Sequence, residues 1–159
     1  GAYLGLPQPY RTGGGKLADV SELRAIRAFD AKTFAQSRRW LCALPTADPS
    51  PINVNLLLPE DAPLLVGMMN GAVSLSEARR LIEQTPFDGY SSLDQFWQND
   101  AFAGKEISQG VRDRTALSSR YIAAQGTLAY YGRELHFSML FEVRGASARL
   151  LSRKFGLQS

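Results

Sequence analysis

The sequence predicts an α+β fold in which a helical part comes first and an antiparallel β meander follows. Through the first two thirds of the chain, apolar residues recur at helical spacing behind recognisable capping pairs. Beyond that part, apolar residues occupy every second position, which is typical of strands. We therefore expect a lead-in segment over 1–18, a helical domain over 19–116 and C-terminal strands over 117–159. The helical domain is predicted to consist of two helix-hairpin units, about 19–50 and 56–116.

The first helical unit begins at a pair of acidic residues. Asp19 and Glu22 stand at the spacing of a capping box, in which each side chain accepts a hydrogen bond from a backbone N–H of the first turn. Asp30 is placed to cap a second helix that has Leu41 on its inner face and ends before Pro45. The pattern predicts a short helix–turn–helix unit.

The stretch 51–55 separates the two helical units and is predicted to be extended. Alternation places Ile52 and Val54 on one side and both asparagines, Asn53 and Asn55, on the other. Asparagine amides both donate and accept hydrogen bonds, so these two side chains can bind backbone groups of neighbouring loops. We interpret the stretch as a strap across the helices.

The second helical unit is marked by its caps. The pairs Ser74–Glu77 and Ser92–Gln95 have capping-box spacing, and Asp61 is a candidate cap of an earlier helix. The last part of the unit shows only one weak helical turn. The predicted buried faces of these helices comprise Leu64, Leu65, Met68, Met69, Leu75, Ala78, Leu81, Ile82, Leu93, Phe96 and Trp97.

The strongest strand signal lies near the C-terminus. Five apolar residues alternate with mostly polar ones and predict a half-buried strand: Leu135, Phe137, Met139, Phe141 and Val143. Turns at 131–133 and 145–146 separate this strand from one before it and one after it, which gives a three-stranded antiparallel meander. Such a meander needs a cover for its apolar face. Either the helical lobe or a helix outside this chain would supply that cover.

Composition and charge fit a soluble, globular class of protein. The chain has 159 residues, of which 45% are hydrophobic and 21% charged, enough for one core or two small lobes. Its net charge of +3 comes from scattered basic residues, apart from Arg149, Arg153 and Lys154, and gives weak support to a polyanion partner. No apolar run approaches the ~18 residues of a membrane-spanning helix. Without an initiator methionine or a secretory signal, the chain is expected to be a piece of a longer protein.

No catalytic constellation is apparent. The Gly-Gly-Gly-Lys stretch at 13–16 fails the phosphate-loop pattern, because Tyr10 and Leu17 stand where glycine and serine or threonine are needed. A thiol nucleophile and its base would have to be Cys42 and His136, which are predicted in different parts of the chain. Cys42 is expected to be a small buried residue, with a disulfide to a cysteine outside this chain as the alternative. We predict no catalytic residues and no enzyme activity.

Metal and cofactor sites are equally hard to assign. One histidine and one cysteine are too few ligands for a transition metal. Oxygen ligands for a hard cation are available from Glu60 with Asp61, or from Asp94 with Asp100, but neither pair has the dense acidic spacing of a calcium loop. We therefore predict no cofactor-binding residues, and metal ligands stay undetermined.

Nucleic-acid binding is the main alternative function, because paired small helices are typical of helix-hairpin-helix modules. Those modules bind phosphates through glycine-bearing hairpins whose backbone N–H groups face the DNA. The two hairpins here read Ala-Phe-Asp-Ala at 28–31 and Asn-Gly-Ala-Val-Ser at 70–74. The first lacks glycine and carries an acid, and the second lacks paired glycines. The pattern therefore disfavours DNA as a partner.

Five segments, in this order, carry a family resemblance. They are Pro9-Tyr10-Arg11, Asp19-Val20-Ser21-Glu22-Leu23-Arg24, Cys42-Ala43-Leu44-Pro45, Ile52-Asn53-Val54-Asn55, and Pro86-Phe87 with Ser92-Leu93. Over nearly all of its length the chain resembles the minor pseudopilin K family (general secretion pathway protein K) of the bacterial type II secretion system. Two departures concern helix boundaries: Leu-Leu-Leu-Pro at 56–59 replaces the family's Thr-Ala-Pro, and Thr85 stands where glycine is frequent.

The resemblance implies a pilin-like β-sheet that is interrupted by a large helical insertion of two SAM-like units. The two predicted helical units correspond to that insertion, and the predicted meander corresponds to the returning half of the sheet. An N-terminal hydrophobic helix, absent from this chain, is implied as the anchor in the inner membrane.

The resemblance also implies a function and partners. Family members lie at the tip of the pseudopilus with minor pseudopilins I and J, where they initiate or cap the fibre and support protein export across the outer membrane. The major pseudopilin and secreted cargo are further candidate partners, and the head is periplasmic. Calcium is suspected in the full-length family members, with ligands in an acidic segment upstream of this chain.

Overall fold

A computed structural model describes residues 3–11 and 13–156. The chain forms two compact units, Gly1–Pro49 and Ser50–Ser159. Helices precede a three-stranded antiparallel sheet, so the predicted α+β class is confirmed.

The first unit contains short helices with the predicted caps. Asp19 and Glu22 form a complete capping box, but the helix that they begin, Val20–Ala25, is a 3-10 helix. The side chain of Asp30 accepts a 2.7 Å hydrogen bond from the backbone N–H of Thr33 at the start of α1 (Ala31–Ser37). A 3-10 turn, Arg38–Trp40, follows α1.

Helix α1 is shorter than predicted, and Leu41 lies beyond it in extended backbone, 37% exposed. In the described part of this unit no side chain is fully buried. Short helices depend on a packed face, so a segment without one ends early or tightens into 3-10 turns.

Cys42 is exposed in this unit, so the expectation that it is a small buried residue was wrong. Cys42 lies after the 3-10 turn, outside any helix, so it is not part of a helix face that packs against other residues. Partial burial still raises the pKa of its thiol.

The second unit begins with the strap, of which only β1 (Ile52–Asn53) is extended. The side-chain oxygen of Asn53 accepts a 3.0 Å hydrogen bond from the backbone N–H of Asn55, and this bond caps a 3-10 turn over Val54–Leu56. β1 pairs in parallel with β2 (Thr115–Ala116), a pairing that the alternation did not reveal. A further 3-10 turn, Pro59–Asp61, is closed by the side chain of Asp61, which therefore does not cap the next helix as predicted.

The helices of the second unit mostly follow their predicted caps. They are α2 (Ala62–Met68), α3 (Leu75–Glu83), α4 (Leu93–Trp97), a 3-10 turn (Asp100–Phe102) and α5 (Gln109–Arg112). Ser74 and Glu77 form the predicted box. Ser92 caps α4, but Gln95 reaches back to the backbone N–H of Ser91 instead of Ser92. Glu77 also accepts a 2.8 Å bond from Lys105, which ties the loop before α5 to α3.

The core of the unit lies among these helices, with Phe96 at its centre. Phe96 is 1% exposed, and its ring packs edge-on against Tyr90, Trp97 and Phe102 with centroids 4.8 to 5.4 Å apart. Edge-to-face aromatic pairs add about 0.5–1.5 kcal/mol each beyond the area they bury. The predicted faces are confirmed except for Leu75, which is 44% exposed, and Leu64, which is half-buried and lies outside the cluster. The buried cluster comprises Val54, Ala62, Leu65, Met69, Val73, Ala78, Leu81, Ile82, Tyr90, Phe96, Trp97 and Phe102.

The meander consists of β3 (Tyr121–Tyr130), β4 (Arg133–Arg144) and β5 (Ser147–Phe155), in that spatial order. The β3–β4 connection is the predicted turn, with positive φ at Tyr131 (48°) and Gly132 (72°), as a tight hairpin requires. Gly145 opens the β4–β5 turn with φ 57°. A bulge on β5 at Leu151 shifts the register between Leu140 and Phe141 of β4.

Candidate docking surface on the meander

One face of the meander is mostly apolar, with Arg133 and Arg153 as its charged members. The register pairs Ile122 with Phe141, Leu128 with Leu135, and Phe137 with Phe155, so the apolar positions of all three strands share this face. Hereafter it is called the apolar face, and it comprises Ile122, Ala124, Leu128, Leu135, Phe137, Met139, Phe141, Val143, Ala148, Leu150 and Phe155.

Much of the apolar face is uncovered by the described residues. Leu128 is 55% exposed, Phe155 50% and Leu135 44%. The helices of the second unit direct their buried side chains into their own cluster instead. An apolar surface of this size on one side of a sheet marks it as a candidate docking surface.

The predicted direction of burial on β4 was partly wrong. The most buried residues of the sheet are Leu140 (9% exposed) and Glu142 (4%), and both lie on the opposite, polar face. Glu142 is covered by the side chains of Arg120, Arg144 and Arg149, which form ion pairs with it. The arginine side chains therefore bury Glu142 more than any neighbour buries a residue of the apolar face.

Gly126 shapes the centre of the apolar face. A Cβ atom at this position would lie 2.7 Å from Cζ of Phe137, the residue paired with it on β4. The outer end of the Phe137 ring therefore occupies the space that a side chain at position 126 would need.

Both outer strands offer open edges. In the part of the chain that the structure describes, β3 and β5 each pair with β4 only. Unpaired strand edges present rows of N–H and C=O groups that another strand can extend. The meander thus has an apolar face and two edges available for assembly.

The rejected catalytic pair is divided between the two units. Cys42 lies in the first unit and His136 in the second, on β4. Nδ1 of His136 lies 2.8 Å from Oγ1 of Thr127, a cross-strand contact within the sheet. The predicted absence of a catalytic site remains a prediction.

The candidate cation ligands do not converge either. Within residues 3–11 and 13–156, no three His, Cys, Asp or Glu side chains lie close enough together to hold a metal ion. That applies to Glu60, Asp61, Asp94 and Asp100, of which Asp61 closes a turn. Calcium binding by a longer protein remains a prediction, since its implied ligands lie outside this chain.

The phosphate-loop pattern also finds no structural support, since residues 13–16 precede no helix directly and the first helical turn begins at Val20. No membrane-crossing helix is found in the described ranges.

Two family models, both described as type II secretion system (T2SS), protein K, match this chain. One covers residues 1–46 and the other residues 52–118, together well over half of the chain. The chain belongs to the type II secretion system protein K family. The resemblance that its five segments carry is thereby confirmed.

Curated relatives agree with this membership. Type II secretion system protein K of Dickeya chrysanthemi is 32% identical over 149 residues, which are 92% of this chain and 41% of the relative. The protein K of Klebsiella pneumoniae is 30% identical over 156 residues, 98% of this chain and 47% of the relative. The chain therefore spans less than half the length of these relatives.

The fold is similar to that of a solved chain in the crystal structure of the GspK-GspI-GspJ complex from the enterotoxigenic Escherichia coli type 2 secretion system. The TM-score is 0.80 at 24% identity, and the match covers 98% of this chain and 54% of that chain. The likeness establishes that the helices and the meander of this chain have the family fold.

Proposed function

We propose that this chain is the periplasmic head of a minor pseudopilin, a structural subunit at the tip of the type II secretion pseudopilus. It assembles there with minor pseudopilins I and J and supports protein export across the outer membrane. The observation that carries the proposal is family membership, together with a fold match over 98% of the chain to a protein solved in a GspK-GspI-GspJ complex. The role is structural and not catalytic.

The helical part provides a physical reason for a tip position. Its second-unit helices pack around a core of their own, so they form a bulky lobe and not a thin layer on the sheet strands. A subunit stacked above this one in a fibre would collide with that body. The helical part would therefore end the fibre, which is the capping role.

The apolar face of the meander has its own part in the proposal. The face has half-exposed apolar side chains at Leu128, Leu135 and Phe155, and burying them would stabilise the sheet. An apolar helix of the same longer protein would cover them. The family resemblance implies such a helix, which also anchors the protein in the inner membrane. The partner subunits then dock on surfaces that this helix leaves open.

The assembly test mixes this chain with the soluble heads of pseudopilins I and J, singly and together, in analytical ultracentrifugation. A discrete complex is expected with the pair. If no complex forms, the same run with the complete periplasmic domain distinguishes a missing interface from a wrong proposal. Failure of the complete domain would refute the assembly role.

The tip position needs a separate test. Full-length protein carrying an epitope tag is located by gold labelling on pseudopili, with tagged major pseudopilin as the control that should label the whole fibre. Label at one end is expected. Label distributed along the fibre would contradict capping.

The helix-hairpin-helix alternative is testable with duplex DNA. The second helical unit, residues 56–116, holds nine acidic and five basic residues, so its field repels phosphates. The hairpin between α2 and α3 has positive φ at Asn70 (50°) and Gly71 (78°), but no basic residue follows until Arg79. Tight DNA binding with a steep salt dependence would revive the alternative.

A further inference from the structure

The polar face of the meander carries an arginine cluster built around one carboxylate. Glu142 on β4 accepts hydrogen bonds at Oε1 from Nη2 of Arg120 (2.7 Å) and Nη2 of Arg144 (2.8 Å). Nη2 of Arg149 donates to its other oxygen at 2.9 Å. Both Arg120 and Arg144 also donate from Nε to Oε1 at 3.0 Å.

The backbone places these groups together without distortion. Arg144 follows Glu142 by two residues on the same strand, and Arg149 is the cross-strand partner of Glu142 on β5. Arg120 comes from the residue just before β3, where its carbonyl accepts from the N–H of Val143 at 2.7 Å. Three segments thus converge on one side chain.

The cluster contains more positive charge than the carboxylate neutralises. Arginine stays protonated at any physiological pH, so three guanidinium groups around one ionised glutamate leave an excess of two positive charges. The Arg144 bonds, before those of Arg120, hold the pKa of Glu142 down at about 2. The glutamate is therefore fully ionised at neutral pH, and it contributes one negative charge to the cluster.

The excess charge faces solvent. The side chains of Arg144 and Arg149 are 69% and 73% exposed, whereas that of Glu142 is 5% exposed. They border a hollow of about 390 Å³ that is lined by Glu142, Arg144, Ser147, Ala148 and Arg149. Within the described residues, the guanidinium of Arg149 makes no hydrogen bond besides the one to Glu142. N–H donors of this cluster are thus presented to an open hollow.

The wider sheet has the same sign of charge. Residues 117–159 hold six basic and two acidic residues, in contrast to the acidic second helical unit. A partner that approaches the polar face of the meander therefore meets a positive field, which favours acidic surfaces.

We propose that this arginine-bordered hollow is a docking site for a carboxylate-bearing segment of a partner protein, with Arg144 and Arg149 as its contact residues. Guanidinium groups match carboxylates in planar, two-point hydrogen bonding. The inference goes beyond the proposed function, because it names the chemistry of a ligand and a place for it, whichever subunit or cargo presents the segment.

A membrane surface is the less suitable occupant. Stable electrostatic attachment to anionic lipid takes clusters of about 4–8 basic residues, each worth about 1 kcal/mol. The excess here is two charges, and the polar face offers no exposed leucine or phenylalanine to insert, since Leu140 is buried. A short acidic peptide requires no such insertion.

The test is fluorescence anisotropy of a labelled hexaglutamate peptide with this chain at low ionic strength. Arg144→Gln combined with Arg149→Gln should weaken binding about tenfold, since the double variant removes both exposed guanidinium groups that would pair with the peptide. The matched control combines Arg133→Gln with Arg153→Gln, which removes the same charge from exposed positions on the apolar side of the sheet. The control should retain binding within about twofold.

A second variant keeps every arginine in place. Ser147→Glu adds a carboxylate beside the hollow, on the same face as Arg144, with which Ser147 is paired. It should also weaken peptide binding, while its circular dichroism and melting temperature match those of the unmodified chain.

Three outcomes would overturn the inference. They are no peptide binding at low salt, equal losses in the two double variants, and binding that Ser147→Glu leaves unchanged. Binding to phosphatidylglycerol vesicles that the double variant abolishes, in the absence of peptide binding, would assign the cluster to a lipid surface and refute the peptide site.

Discussion

Replacing Asn55 by alanine should destabilise the helical core of the second unit more than replacing Asn53, the other asparagine of the strap. The Asn55 side chain accepts a 2.8 Å hydrogen bond from the backbone N–H of Tyr90 and donates a 3.3 Å bond to its carbonyl. Tyr90 is 7% exposed and packs against Phe96. Gly89 makes room for this clamp, because a Cβ there would lie 2.8 Å from Cγ of Asn55.

The magnitude follows from the groups that the alanine leaves behind. A buried N–H that loses its partner costs about 1–3 kcal/mol, and the longer bond to the carbonyl adds about 0.5–1 kcal/mol. We expect the free energy of unfolding to fall by about 2–3 kcal/mol. For a unit of this size, the melting temperature should then fall by about 8–12 °C.

Two further asparagine variants make the test specific. Asn55→Asp keeps the acceptor for Tyr90 N–H but replaces the donor by an oxygen that faces the Tyr90 carbonyl, so it should not restore stability. Asn53→Ala removes a 3.1 Å bond to the Ser119 hydroxyl and the cap on Asn55, both only half-buried, and should cost about 1 kcal/mol.

The assay is urea unfolding followed by the fluorescence of Trp97, which is buried in the core. A Trp40→Phe background removes the tryptophan of the first unit. The reasoning would be refuted if Asn55→Ala and Asn53→Ala lowered the unfolding free energy equally, or if Asn55→Asp behaved like the unmodified chain.

Three more predictions concern the sheet and the thiol. The folded state lowers the pKa of Glu142 to about 2 from an ordinary 4.5. Its contribution to stability is therefore present above pH 4.5 and is lost as the pH falls towards 2. Glu142→Gln should remove this dependence and flatten the acid side of a plot of melting temperature against pH. Because its apolar face is exposed, the chain should self-associate in sedimentation equilibrium; Leu128→Lys on that face should reduce this association, whereas Leu56→Lys, at an exposed leucine of the helical part, should leave it unchanged. Cys42→Ser should change the unfolding free energy by less than about 0.5 kcal/mol, and Cys42 should react to completion with a thiol reagent in the native state, where a thiol that reacts only after unfolding would contradict its exposure.

Local signals allowed the helix starts to be predicted. The side chains of Ser74 and Glu77 each accept a hydrogen bond from the other residue's backbone N–H, within four residues of chain. A helix start of this kind can be predicted without knowing any distant contact. The same holds for Asp19 and Glu22. Helix ends were less predictable, because α1 lacks a buried face to continue it beyond Ser37.

The parallel pairing of β1 with β2 was beyond sequence reasoning. It joins Ile52 to Thr115, 63 positions apart, through strands of two residues each. Strands this short have no detectable period, so only the packed helices between them bring them together.

The arginine cluster, in contrast, was within reach of the sequence. A two-residue turn at 145–146 fixes the pairing of Glu142 with Arg149, and the two-residue period puts Arg144 on the same face. What the sequence could not supply is the degree of burial of Glu142, which depends on where long arginine stems lie.

The meander is best understood as a part that assembly completes. Its apolar face leaves Ile122, Leu128, Leu135, Leu150 and Phe155 each 44–55% exposed. Covering the exposed half of such side chains contributes about 1 kcal/mol apiece, so a fitted helix would stabilise the sheet by several kcal/mol. That gain is comparable to the whole stability of a small domain, about 5–15 kcal/mol. The folding of this sheet and the covering of its apolar face should therefore be coupled.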